Sequence, residues 1–174
     1  MQEYNQRIYN TVINAGYSDT LARLLVAQAQ YETGNYKNNA FLKHNNAFGY
    51  KYVAGAKYQL PTAGNVSSEG NRYAAYSSLE NSVLEVLAWL ERRQKEGKLK
   101  IAELKDTTSY ANALKMSDYY GISSNKYASG LDVYLNKLSI FYQANKKTVN
   151  YAIIGGVLVV LSLYVYYLKK KNVI

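Results

Sequence analysis

YETGNYKNNAFLKHNNAFGYKY, Tyr31 to Tyr52, is the stretch on which the fold of this chain turns. It follows an apolar run, YSDTLARLLVAQAQYE, which opens with the capping candidates Ser18, Asp19 and Thr20. Leu21, Leu24, Leu25, Gln28 and Glu32 then recur at the spacing of one helix face. Glu32 therefore closes the apolar face of a helix rather than its wet one. A carboxyl group so placed is partly desolvated, which raises its pKa toward the range of a general acid. Beyond Gly34 the chain turns asparagine-rich and aromatic, and NNAFGYK, Asn45–Lys51, fits neither helical nor strand periodicity. Taken alone, a tight turn with Phe48 pinned in a core explains that segment as well as a binding loop does.

Working outward, Tyr4, Ile8, Val12 and Ile13 share a face of a first helix that Gly16 can close. Residues 52–76 read as turns and short strands, because Gly55, Pro61, Gly64 and Gly70 interrupt runs such as AKYQL and NRYAAY. SLENSVLEVLAWLERRQKEG predicts an amphipathic helix with Val83, Val86, Leu87 and Leu90 inward and Ser78 as cap. Two more helical pieces fit TSYANALKM and ASGLDVYLNKLSIFYQANKK. The expected fold class is α+β, mostly α: a helical domain with a small β-lobe inserted after the second helix.

The last quarter carries a different signal. Tyr151–Leu168 is uncharged, flanked by Lys146–Lys147 and Lys169–Lys171, with Tyr164, Tyr166 and Tyr167 near one end. That length and those flanks predict one C-terminal transmembrane helix. The expected organisation is a domain over 1–145, a basic linker over 146–150, a span over 151–168 and a basic tail over 169–174. No signal peptide is read at the N-terminus, whose MQEYNQRIYN lacks an apolar core. The expected location is a bacterial envelope or virion membrane, with the lipid bilayer a partner through 151–168.

Composition excludes several chemistries. The 174 residues contain no cysteine and one histidine, His44, so thiolate catalysis, disulfides and histidine-rich metal sites are out, and no cofactor or metal is expected. The net charge of +9 is scattered among isolated lysines and ERRQKEGKLK, without interleaved stacking aromatics. Nucleic acid is therefore not an expected partner; an anionic polymer such as cell wall is. Twenty tyrosines among 24 aromatic residues supply rings with polar tips, suited to cores and to sugar-binding clefts alike.

Four motifs in order, YETGNY, NNAFGYK, YAAYSSLENSV and YASGLDVYLNKL, resemble the signatures of the glucosaminidase domains of glycoside hydrolase family 73. The resemblance covers about Leu21 to Leu138. It implies a lysozyme-like fold and an enzyme that cuts the glycan strands of peptidoglycan in the endo-N-acetylglucosaminidase manner. Glu32 matches the family's catalytic acid in its Glu–Ser/Thr–Gly triplet, and Asn45, Asn46, Phe48, Gly49 and Lys51 match its sugar-cleft segment. Tyr76 matches the aromatic strand before a helix, and Tyr127 the tyrosine brought over the acid. The family's second carboxylate lies on the β-lobe, where this chain offers only Glu69, closer to Tyr73 than the pattern expects. A single acid also suits a lytic transglycosylase, and a non-catalytic glycan- or partner-binding module on the same fold is the rival from another class. One lobe on one anchor further suggests a phage- or virion-associated wall-degrading protein.

Overall fold

The computed structural model describes residues 1–66 and 70–138. The chain divides into two compact units, Met1–Asn136 and Lys137–Ile174; only Lys137 and Leu138 of the second are among the described residues. The first unit opens with α1 (Gln2–Asn14), which buries Asn5, Ile8 and Val12 along one face. Ile13, expected on that face, is 37% exposed, since one residue past Val12 turns the side chain about 100° away.

Ser18 caps α2 (Asp19–Thr33), its Oγ accepting the Leu21 amide at 3.2 Å. This helix is buried on nearly every side, from Leu21 and Ala22 through Gln28 and Gln30, which makes it the centre of the unit. It stops because Gly34, Asn35 and Tyr36 all take left-handed backbone angles, with φ of 57°, 62° and 64°. Glycine does so freely and asparagine readily, whereas a tyrosine there costs about 1–3 kcal/mol. Packing offsets that strain: the Tyr36 ring lies 5.2 Å from Tyr4 and 5.0 Å from Phe41, and its hydroxyl donates to Asn5 Oδ1 at 2.6 Å.

A short α3 (Asn39–His44) follows, capped by Asn38 and ended by Asn45 at φ 53°. Then comes the lobe, residues 46–77. The short strands expected over 52–76 do not form among the described residues; two isolated antiparallel bridges, Lys51 with Tyr73 and Val66 with Arg72, stand in their place. The chain turns at Gly55 and Gly70, both at positive φ, which glycine takes without strain. Backbone hydrogen bonds still join the segments, Tyr52 to Arg72, Ala74 to Tyr50 and Leu60 to Ala75, each at 2.8 Å, and side chains add to them. Asn46 donates to the carbonyls of Tyr50 and Ala74 (2.9 and 3.0 Å) and accepts the Tyr50 amide at 3.1 Å.

From Ser78 the chain is helical again. Its Oγ accepts the Asn81 amide and starts α4 (Leu79–Lys95), which buries Leu79, Val83, Val86, Leu87 and Leu90. α1 packs against both α2 and α4. A 3-10 turn (Ile101–Glu103) and a capping box of Asp106 with Ser109 lead into α5 (Thr107–Met116). α6 covers residues 124–138, beginning before Tyr127 rather than at Ala128 as the sequence suggested.

The expected fold class is corrected on two points. The architecture is helical with almost no strand, and no helix among the described residues is long and apolar enough to cross a membrane. The predicted span, 151–168, and the predicted domain boundary at 145 lie outside the described residues.

Candidate active site

Glu32 stands on the last turn of α2, half-buried, one turn beyond the fully buried Gln28. Across from it, Tyr127 on the first turns of α6 donates its hydroxyl to Glu32 Oε1 at 2.5 Å. Tyr127 is 2% exposed and stacks flat on Tyr120, 4.1 Å between centroids at 12°. On the other side the backbone of Gly49 passes beside the acid: a Cβ built there would lie 3.8 Å from Glu32 Oε2. Gly49 adopts φ 65°, which glycine takes without strain. One carboxyl oxygen is thus tied to a tyrosine, and the other borders an open strip of backbone.

Two cavities meet at Glu32 and Gly49. The larger, about 450 Å³, is walled by Phe48, Tyr50 and Lys51 of the loop, Trp89 of α4, and Tyr119 and Tyr120 after α5. The smaller, about 340 Å³, is walled by Asn38, Asn39 and Ala40 at the start of α3 and by Asn65 and Tyr73 of the lobe. A polymer laid through both would present one of its linkages to Glu32.

Electrostatics at the junction follow from burial. Desolvation raises the Glu32 carboxyl above its ordinary 4.5, and the Tyr127 hydrogen bond pulls it back by less. Burial, followed by the charge of Glu32, holds the Tyr110 and Tyr119 hydroxyls far up, and the same two causes lead for Tyr127. All three remain neutral donors at ordinary pH. Tyr110 donates to Gln28 Oε1 at 2.6 Å, and Tyr119 to the Phe48 carbonyl, which ties the loop to the helical side. The arrangement suits a carboxylic acid that keeps its proton to higher pH than an exposed glutamate does, with Oε2 on the side of the cavities.

The residues singled out in the sequence divide by position. Phe48, Gly49 and Lys51 line the larger cavity with Glu32. Asn45, Asn46 and Tyr76 border neither of these cavities. Asn45 ends α3 and donates to the Tyr76 carbonyl at 3.1 Å, the Asn46 amide is spent on lobe backbone, and Tyr76 is 2% exposed. Glu69 lies outside the described residues.

Others were missed. Trp89, Tyr119 and Tyr120 form much of the larger wall, and two more carboxylates, Glu85 and Asp118, line the same cavity. Burial raises the Glu85 carboxyl, with Arg92 nearby opposing. Glu85 falls four residues before Trp89 on the inward face of α4, a spacing that could have marked it. Asp118 held at φ 59° gave no local signal.

A family model described as Glucosaminidase, mannosyl-glycoprotein endo-beta-N-acetylglucosaminidase, matches residues 12–147. No curated protein sequence matches the chain significantly. Among solved structures, a chain of a type VI secretion system effector-immunity complex from Pseudomonas protegens superposes with a TM-score of 0.55 at 15% identity, covering 78% of this chain and 88% of that one. At that identity the likeness is one of fold.

Proposed function

The chain belongs to the glucosaminidase family and is a glycoside hydrolase, and on that premise we propose that it cuts the glycan strand of peptidoglycan between amino sugars, with Glu32 as general acid. The observation that carries this reading is the place of Glu32: a half-buried carboxyl, raised by burial, at the junction of two cavities. A strand crossing that junction has its scissile oxygen within reach of Oε2, which Gly49 leaves unobstructed. Protonation of the leaving oxygen is the half of glycoside cleavage that an acid supplies. A second carboxylate usually serves water or the oxocarbenium-like centre. Glu85 and Asp118 share the larger cavity and are the described groups from which that role can be drawn. Amide and hydroxyl groups of Asn38, Asn39, Asn65 and Tyr73 suit sugar hydroxyls and N-acetyl groups on the smaller side, and the Trp89 and tyrosine rings suit sugar faces on the larger.

The test is turbidity of a wall suspension exposed to the full chain, beside Glu32→Gln. Clearing by the first and none by the second is expected; folded wild-type chain that leaves several wall types intact overturns the reading. The new chain ends then name the bond and the route. Reducing N-acetylglucosamine marks the glucosaminidase bond, reducing muramic acid the other bond, and an anhydro sugar the intramolecular attack of a lytic transglycosylase.

A further inference from the structure

The contact between Tyr127 and Glu32 depends on how closely α6 approaches the end of α2, and one position sets that approach. A Cβ added to Gly130 would fall 2.3 Å from Tyr31 Cε2 and 2.9 Å from both Cδ2 and Cζ of the same ring. No side chain larger than hydrogen fits there without displacing Tyr31 or the helix. Tyr31 is half-buried and meets two further rings. Its ring meets Tyr127 edge-on at 5.2 Å and 80°, and Tyr134 at 6.5 Å and 71°. Tyr31 precedes Glu32, and Gly130 lies one turn beyond Tyr127. The Tyr31 ring is seated over a glycine gap in α6, and the tyrosine and acid are the next pair along the same crossing.

We propose that Gly130 is a positioning residue for the acid: by admitting the Tyr31 ring it sets the depth of α6 at which the Tyr127 hydroxyl reaches Glu32 Oε1. The inference rests on Glu32 being the acid, and it adds that the proton affinity of Glu32 is controlled from α6, through a glycine that touches neither the carboxyl nor the cleft. A glycine inside a helix is otherwise less favourable than alanine, so nothing in helix propensity favours it at position 130.

The groups that face Glu32 are Tyr127 from α6, Tyr110 from α5 and Tyr119 from the segment after it. Lys51 of the loop, Glu85, Arg92 and Arg93 of α4, and Asp118, Tyr50 and Tyr120 share its larger cavity, and Tyr73 the smaller. Among these the Tyr127 hydrogen bond acts directly on the carboxyl and lowers its pKa. If the bond is lengthened, Glu32 holds its proton to higher pH, and the alkaline limb of kcat/KM moves up.

The experiment compares wild type, Gly130→Ala, Tyr127→Phe and the double variant. Two readouts are taken: the pH profile of wall hydrolysis, and the Glu32 titration from carbon NMR of labelled glutamate, assigned with Glu32→Gln. Gly130→Ala is expected to lower turnover about tenfold, roughly the effect of one hydrogen bond on a barrier, and to raise both the alkaline limb and the NMR titration point. In the Tyr127→Phe background the same change is expected to do nothing further. An equal additional loss in both backgrounds, or a melting shift with an unmoved titration, overturns the proposal. Tyr31→Ala, which cannot clash, gives a second route. It removes the atoms that a Cβ at 130 would strike, so Gly130→Ala in the Tyr31→Ala background is expected to fold and leave the titration point where Tyr31→Ala alone has it; a further rise there overturns the proposal. The NMR readout needs no substrate, so its failure is distinct from absence of wall hydrolysis in the wild type.

Discussion

On the helical side of the cleft, Glu32 is backed by Gln28, Tyr110 and Tyr127, buried side chains of α2, α5 and α6 joined by hydrogen bonds. On the loop side, the described residues of 46–76 are held by Asn46, Gln59 and backbone pairs around two isolated bridges, with Phe48, Ala74 and Tyr76 buried. The first wall sets a pKa, because burial and a directed donor act on one carboxyl. The second sets a shape, because amide side chains tie turns that have no ladder to follow. Chemistry and substrate fit are thus carried by different kinds of force, and they should fail separately.

The strongest break is Glu32→Gln, which keeps shape and removes the transferable proton. Turnover should fall by about 10²–10⁴-fold, as for loss of a general acid. Stability should move the opposite way. With the folded pKa above 4.5, the Glu32 contribution is full below pH 4.5 and is lost as pH rises through the folded value. The melting temperature of Glu32→Gln should therefore match wild type in acid and exceed it toward neutral pH. A variant that melts lower at pH 7 contradicts the sign.

Asn46→Ala attacks the other wall. It removes three hydrogen bonds at a residue 1% exposed and leaves buried backbone groups unpaired, at roughly 1–3 kcal/mol. Denaturant midpoints should fall and KM for wall fragments should rise, with the pH profile unmoved. A shifted profile would mean that the two walls are coupled.

Tyr127→Phe should be slower by about tenfold, with its alkaline limb higher and its melting little changed, since a hydroxyl is lost from a ring that stays packed. Equal activity would make Tyr127 a core residue. The smallest effect belongs far from the cleft. Arg7 and Glu80 join α1 to α4 at 2.8 Å but are 39% and 38% exposed, so Arg7→Ala should cost under about 1 kcal/mol and less still at high salt. Calorimetry at two salt concentrations checks this.

Local order in the sequence was enough for α2, with its Ser18 cap, its apolar face and Glu32 at its end, because those features are set by the 3.6-residue period and by capping chemistry. The same holds for α4 and for the absence of thiol or histidine-cluster chemistry. The lobe was misjudged as strands because turn residues and aromatic runs look alike whether backbone pairs extend into ladders or, as here, stay at isolated bridges shared with Asn46 and Gln59. The family resemblance set Tyr127 over the acid, and the structure joins the two across 95 positions; only the tertiary structure decided that Tyr119, Glu85 and Asp118 line the same cavity and that Asn45 and Asn46 brace the lobe. Those contacts join residues far apart along the chain, and which side chains meet is decided by packing in three dimensions, which periodicity does not encode.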